Sequence, residues 1–220
     1  MICVSVGNVT IEDCLSIIKT SQMAEIRLDL IEGSAANIKR IFSSSKNLIA
    51  TYRPNNILSD DDRANLLIEA IDAGAEYVDI EMESSVTFKV KVMEEAKNKG
   101  KKIIVSYHNC ETTPSREELE NIVHNCKKPL SKRELTPDIL KIACVSHSQK
   151  DNIRLLSLLD SDVPIIVVGM GKTGRITRFL APFFGAFCTF AGVSKANQTA
   201  FGQPTKEELE FFFREFKNYL

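Results

Sequence analysis

Lys141 sits inside the run Asp138-Ile139-Leu140-Lys141-Ile142-Ala143-Cys144-Val145. A lysine in the middle of an apolar strand cannot easily carry its ammonium to water. Burial disfavours the charged form and favours the free amine, a nucleophile toward carbonyl carbon. A structural ion pair inside the fold, with Asp79 or Glu81, is the competing reading. His108 closes another apolar stretch, Ile103-Ile104-Val105-Ser106-Tyr107-His108. Imidazole can take and return a proton near neutrality. Arg178 follows Gly171-Lys172-Thr173-Gly174. A guanidinium beyond such a loop suits an anion, because its planar fork matches a carboxylate. The Gly171-Lys172-Thr173 triplet does not make a nucleotide-phosphate loop, since Ile166 stands where the required first glycine belongs.

The elements that must position these groups alternate from end to end. Short, β-branched, nearly continuous apolar segments are expected as strands at 2–6, 25–30, 48–52, 77–82, 102–107, 139–145, 164–169 and 186–191. Continuous apolar character fits strands buried on both faces of a parallel sheet. Helical patterns fill the gaps at 12–21, 36–44, 61–73, 87–99, 151–159 and 174–184. Ser115-Arg116-Glu117-Glu118 and Thr205-Lys206-Glu207-Glu208 fit capping boxes that open two more. Gly74 and Gly100 stand where helices should stop. Eight β/α units without a linker or a shift in composition predict a single-domain (β/α)8 TIM barrel over residues 1–220. An open doubly wound sheet would carry a glycine-rich turn after its first strand, and Val6-Gly7-Asn8 is not one.

In a barrel, chemistry gathers at the C-terminal ends of the strands. The polar residues interrupting the apolar strands near those ends are Ser5, Glu25, Arg27, Asp29, Arg53, Asp79, Glu81, His108 and Lys141. Lys172, Arg178 and Gln203 join them from the later loops. His124 and His147 fall in a helix and a loop start and are expected to be structural or solvated.

Bulk properties narrow the partners. The chain has 220 residues, 44% hydrophobic and 26% charged, with a net charge of −1. No basic stripe points to nucleic acid. No apolar run is long enough to span a bilayer. The start of the chain lacks the pattern of a secretory signal. Cys3, Cys14, Cys110, Cys126, Cys144 and Cys188 are scattered without a C-x-x-C pair, which suggests free thiols in a reducing, cytoplasmic setting. With three histidines in the chain, no metal-ligand spacing stands out, and neither a metal nor an organic cofactor is expected.

Taken in order, these residues resemble type I 3-dehydroquinate dehydratases along essentially the whole chain. The matching motifs begin with Glu25-Ile26-Arg27-Leu28-Asp29, Thr51-Tyr52-Arg53 and Asp79-Ile80-Glu81. Ser106-Tyr107-His108-Asn109 with Thr113-Pro114 follows, then Asp138-Ile139-Leu140-Lys141-Ile142-Ala143. Met170-Gly171-Lys172-Thr173-Gly174, Thr177-Arg178, Phe184-Gly185, Thr189-Phe190 and Gly202-Gln203 complete the set. The resemblance implies a shikimate-pathway hydro-lyase that removes water from 3-dehydroquinate through a lysine Schiff base. Lys141 would form the imine and His108 would move the protons. Arg178 would hold the substrate carboxylate, while Glu25, Arg27 and Arg53 would bind or organise the hydroxyl side of the ring. Ser5, Thr199 and Gln203 would add hydrogen bonds, and Met170 and Phe190 would line the pocket.

The chain departs from the family at three places. The loop Pro54-Asn55-Asn56-Ile57-Leu58 lacks the glutamate that many members carry four residues beyond the arginine, so the sequence identifies no carboxylate beside His108. Thr199 stands where a serine is common. Segment 126–137 is longer than usual. Two other readings stay open at this point. A class I aldolase barrel would use the same strand lysine on a phosphorylated sugar, but no phosphate cradle is evident near strands seven and eight. A non-catalytic barrel scaffold would be expected to lack at least one of Lys141, His108 and Arg178. A homodimer, or fusion to or association with other shikimate-pathway enzymes, is compatible with the chain and fixed by nothing in it.

Overall fold

Strands and helices alternate through the chain as eight β/α units. The computed structural model describes residues 1–32, 34–55, 57–131 and 134–216. Asn56 of the loop after Arg53, residues 132–133 of the long segment and residues 217–220 lie outside them. The strands are β1 (Ile2–Val6), β2 (Met23–Arg27), β3 (Leu48–Thr51), β4 (Tyr77–Glu81), β5 (Lys102–Asn109), β6 (Ile139–Val145), β7 (Ile165–Met170) and β8 (Thr189–Gly192). The helices are α1 (Ile11–Lys19), α2 (Ala35–Phe42), α3 (Asp60–Ala73), α4 (Val86–Asn98), α5 (Arg116–Lys127), α6 (Gln149–Leu156), α7 (Gly171–Leu180) and α8 (Lys206–Phe216).

Every strand pairing is parallel, and the sheet runs β7-β6-β5-β4-β3-β2-β1-β8. The amide of Phe187, just before β8, donates to the carbonyl of Ile165 in β7 and brings the two ends of the sheet together. The result is a nearly closed (β/α)8 barrel. Outward-facing strand residues such as Val4, Ile26, Ala50, Val78, Leu140 and Ile142 pack under the helices in the larger core.

The alternate residues point into the barrel. Its lower half is apolar and filled by Cys3, Met23, Ile49, Ile104, Ile139, Ile166 and Cys188, with Tyr77 packed against them. Two residues further along the same strands the character changes, to Ser5, Glu25, Thr51, Asp79, Ser106 and Lys141, all of them buried. Strand alternation thus turns one sequence feature, a polar residue every second position near a strand end, into a polar layer on an apolar floor.

Helix ends follow the sequence signals. Ser115 and Glu118 cap α5 reciprocally, and Thr205 and Glu208 do the same before α8. Gly74 stops α3 in the left-handed region, and Gly100 follows α4 at φ 66°. Among the boundaries that differ from expectation, three bear on the site. β2 stops at Arg27, because Leu28–Leu30 turn so that the Asp29 carboxylate receives Arg27. β8 begins at Thr189 rather than at residue 186. α7 begins at Gly171, directly on the end of β7, leaving no loop before it. In segment 126–137, Leu130 and Leu135 pair through both backbone hydrogen bonds, and Leu135 is buried.

The early start of α7 depends on two glycines. A Cβ on Gly174 would lie 2.4 Å from the backbone of Gly169, and a Cβ on Gly169 would lie 2.7 Å from the Gly174 carbonyl oxygen. Helix and strand touch backbone to backbone here. Alanine normally stabilises a helix interior relative to glycine, but here the clash outweighs it. Gly174→Ala should therefore destabilise the fold by about 1–3 kcal/mol in denaturant titrations; unchanged or higher stability would contradict this packing.

Candidate active site

Register carries the chemistry to one end of the barrel. Ser5 pairs with Glu25, Thr51 with Asp79, and Ser106 with Lys141 across neighbouring strands. One position pair further up stand Arg27, Glu81, His108 and Met170. Ser5, Glu25, Arg27, Arg53, His108, Lys141, Met170, Arg178, Phe190, Thr199 and Gln203 all line a single cavity of about 840 Å³. Every site residue expected from the sequence is therefore brought to one place.

The Lys141 ammonium is buried between two carboxylates. Its Nζ lies 3.0 Å from Asp79 Oδ2 and 3.1 Å from Glu25 Oε1, and 4.4 Å above the centre of the Phe190 ring. Of the two partners the ion-pair reading offered, Asp79 is the one found, and Glu25 joins it.

Asp79 is the hub. Arg53 grips it bidentately, Nη1 to Oδ1 at 2.9 Å and Nη2 to Oδ2 at 2.8 Å, and the Ser106 hydroxyl donates to Oδ1 at 2.6 Å. Burial pushes the Asp79 carboxyl up, but Arg53 and Lys141 outweigh it and hold the group well below the usual carboxylate range. Glu25 behaves likewise. Burial raises it, Lys141 and Arg53 lower it further, and it comes to about 2. Glu25 also accepts from the hydroxyls of Ser5 and Thr51. Asp79 was named from the sequence at a strand end and as a partner for Lys141 but given no role in the site, and Ser106 was given none either. The signal was available, because both occupy the alternate positions that point inward with Lys141.

Arg53 carries charge deep into the cavity. Burial works against its cation, but Asp79, Glu25 and Glu81 more than compensate. Arg27 is held bidentately by Asp29, at 2.9 and 2.6 Å. Asp29 Oδ1 also accepts from the Arg53 amide, tying the ends of β2 and β3 together.

Arg178 differs from these. It lies in the last turn of α7, not in a loop, and it is 1% exposed. Among the described residues it forms no ion pair. Its one hydrogen bond is from Nη1 to the Phe190 carbonyl at 3.3 Å, and its Nε has no partner. Burial pulls this guanidinium down to about 10, with Glu25 acting weakly in the other direction. A buried, uncompensated cation at a cavity wall is costly unless an anion completes it.

The β8–α8 segment forms the cavity's far wall. Thr199 Oγ1 lies 2.7 Å from Ser5 Oγ and 3.2 Å from Gln203 Oε1. Gly202 adopts φ 77°, and a Cβ there would lie 2.6 Å from the Gly171 carbonyl oxygen. The segment is thereby held against the start of α7, where the Gly171 amide donates to the Phe201 carbonyl. His147, expected to be structural or solvated, sits at the cavity mouth with Nε2 2.7 Å from the Glu111 carbonyl oxygen.

His108 lies on the cavity wall with 22% of its side chain exposed. Burial lowers it well below the ordinary imidazole value, and the charges of Arg53 and Lys141 add to the effect, while Asp79 and Glu25 oppose it. The ring is neutral at pH 7, the form able to accept a proton.

Fold and site together define a class: a (β/α)8 barrel whose strand ends enclose a buried amine, a neutral imidazole and an unpaired guanidinium around one cavity. Residues 2–218 match the family model for type I 3-dehydroquinase. A 3-dehydroquinate dehydratase of Methanococcus maripaludis is 31% identical over 219 residues, covering 96% of this chain and 97% of that one. The bifunctional chloroplast 3-dehydroquinate dehydratase/shikimate dehydrogenase of Arabidopsis thaliana is 31% identical over 199 residues, 86% of this chain and 32% of that protein. The crystal structure of the 3-dehydroquinate dehydratase from Aquifex aeolicus superposes with a TM-score of 0.77 at 27% identity, covering 98% of each chain. The chain belongs to the type I 3-dehydroquinase family. No described helix is long and apolar enough to cross a membrane.

The sign of the His108 shift is directly testable. A carbon-resolved NMR titration should show the His108 ring still neutral at pH 6.5, protonating only at lower pH; half-protonation at or above pH 6.5 would contradict the burial and charge environment described above.

Proposed function

We infer that this chain is a 3-dehydroquinate dehydratase, a hydro-lyase of the shikimate pathway, acting as one catalytic domain. The observation that carries the reading is the unpaired, buried Arg178 on the same cavity as Lys141 and His108. A small substrate bearing both a carboxylate and a ketone would satisfy the cation and meet the amine at once. Family membership supplies the identity of that substrate. An aldolase acting on a phosphorylated sugar fits less well, because the family matched over residues 2–218 is type I 3-dehydroquinase.

The chemistry follows from the groups present. The Lys141 ammonium passes a proton to His108 and the free amine adds to the C3 ketone of 3-dehydroquinate; the carbinolamine oxygen takes that proton back from His108 and leaves as water, giving an iminium. That cation is an electron sink, so the C2–H bond can break with its proton going to His108 and its electron pair forming the enamine. The enamine pair then expels the C1 hydroxyl, which leaves as water with the proton His108 returns. One residue serving both steps from one face implies syn elimination. Water finally adds to the product imine, freeing 3-dehydroshikimate and the amine. Arg53 and Arg27, fixed by Asp79 and Asp29, with Glu25, Ser5, Thr199 and Gln203, hold the hydroxyl side of the ring. Met170 and Phe190 close the apolar wall.

A cytoplasmic location belongs to the same proposal, supported by six free cysteines. So do two associations. A homodimer is supported by the exposed Ile176 and Phe211 around a shallow groove between α7 and α8. Association with a shikimate dehydrogenase is suggested by the composition of the Arabidopsis relative.

Turnover of 3-dehydroquinate, followed through the ultraviolet absorbance of the conjugated product, tests the activity itself; absence of turnover by a folded protein would refute it. Arg178→Ala tests the carboxylate contact. Loss of a charge-assisted bidentate contact in a closed site is worth about 2–4 kcal/mol, a fall of roughly 30- to 1,000-fold in kcat/KM. Arg178→Lys should recover only part of it, since ammonium lacks the planar fork. A kcat/KM within about twofold of wild type in Arg178→Ala would remove Arg178 from the site.

A further inference from the structure

His108 has an unsolved problem in its surroundings. Its Nδ1 is buried and makes no hydrogen bond. A base that uses Nε2 needs the proton kept on Nδ1, and an unpartnered Nδ1 does not fix the tautomer. The loop after Arg53 cannot help, because Pro54, Asn55, Ile57 and Leu58 bring no carboxylate. Glu25 and Asp79 are engaged by Lys141, Arg53 and neighbouring hydroxyls.

One carboxylate remains within reach. Glu81 ends β4, and its Oε1 lies 3.4 Å from His108 Nδ1. The register pairs Glu81 with Ser106, which places His108 one inward-facing position further up the adjacent strand. The same Oε1 lies 3.3 Å from Arg53 Nη1, so the guanidinium that holds Asp79 also anchors Glu81. Glu81 and His108 line the same cavity wall. A small rotation of either side chain shortens the contact to a hydrogen bond.

We propose that Glu81 is the positioning residue of His108, accepting from Nδ1–H and so presenting a free Nε2 lone pair to the substrate. This rests on the dehydratase reading above. The proposal also meets an electrostatic need. When His108 takes the C2 proton, its imidazolium is opposed by burial and by Arg53 and Lys141, and supported by Asp79 and Glu25. Glu81 adds a third anion, placed against Nδ1. Around Glu81 itself, burial, Asp79 and Glu83 raise its carboxyl, while Arg53 and Arg63 favour the anion. An anion at the distal nitrogen makes the ring a stronger base and fixes its orientation.

The test uses two variants. Glu81→Ala removes the acceptor and the charge, while Arg53 keeps its bidentate grip on Asp79. Glu81→Gln keeps an acceptor oxygen without the charge, and serves if the alanine variant fails to fold. In Glu81→Ala, kcat should fall about 10- to 100-fold, the usual worth of an orienting partner. KM should change less than about threefold, and borohydride should still trap substrate on Lys141. Removing the anion weakens the base, so the acid limb of the kcat profile and the NMR titration of His108 should both move to lower pH in both variants. Glu81→Gln should retain more activity than Glu81→Ala. The His108 titration does not depend on turnover, so it decides the role of Glu81 even if 3-dehydroquinate proves not to be the substrate. An unshifted His108 titration in the folded variants overturns the proposal, whatever happens to kcat. So does a wild-type kcat and pH profile in Glu81→Ala.

Discussion

The carboxylate of Asp79 stands between two buried cations, Arg53 and Lys141, in the middle of the barrel. Without it, Lys141 would be left with Glu25 alone, and Arg53 with Glu25 and Glu81. Breaking such a pair by removing one partner costs about 3–5 kcal/mol. Replacing the whole group by well-packed apolar residues would often be neutral or stabilising. The network is therefore poorly explained as a device for stability. Its effect is geometric. Bonds from Asp79 and Glu25 fix the Lys141 amine at one point above the apolar floor, with the Phe190 ring beneath it and the cavity before it.

Against this balanced layer, Arg178 stands out because none of the described residues forms an ion pair with it. The cavity's charges are paired along β2, β3, β4 and β6, and left unpaired where α7 meets β8. A ligand that brings a carboxylate completes the pattern there while its ketone reaches the amine. The fold supplies the distance between the two demands. Gly169 and Gly174 let α7 begin directly on β7, which puts Arg178 in its last turn beside the carbonyl of Phe190.

Much of this was legible in the sequence because strand alternation writes the inside of a barrel at every second position. Glu25 and Arg27, Asp79 and Glu81, and Ser106 and His108 are spaced by two, and Lys141 interrupts an otherwise apolar run. The capping boxes at Ser115 and Thr205 and the stop at Gly74 were readable for the same local reason. Pairing across the barrel was not. That Lys141 meets Glu25 as well as Asp79 depends on how far the sheet curls, which no local pattern records. The start of α7 was missed because Gly171-Lys172-Thr173 read as a loop until the contact of Gly174 with β7 is known. Glu81 was weighed as an alternative to Asp79 for Lys141, but it stands against His108 and Arg53.

The central claim is that the fixed Lys141 amine is a nucleophile and not merely one member of an ion pair. Borohydride added while the protein turns over 3-dehydroquinate would reduce any imine to a stable amine, and a peptide map by mass spectrometry would locate it. The account predicts a single adduct of ligand mass on the peptide containing Lys141. An adduct on Lys172 or Lys195 instead, or turnover with no adduct at all, would contradict it.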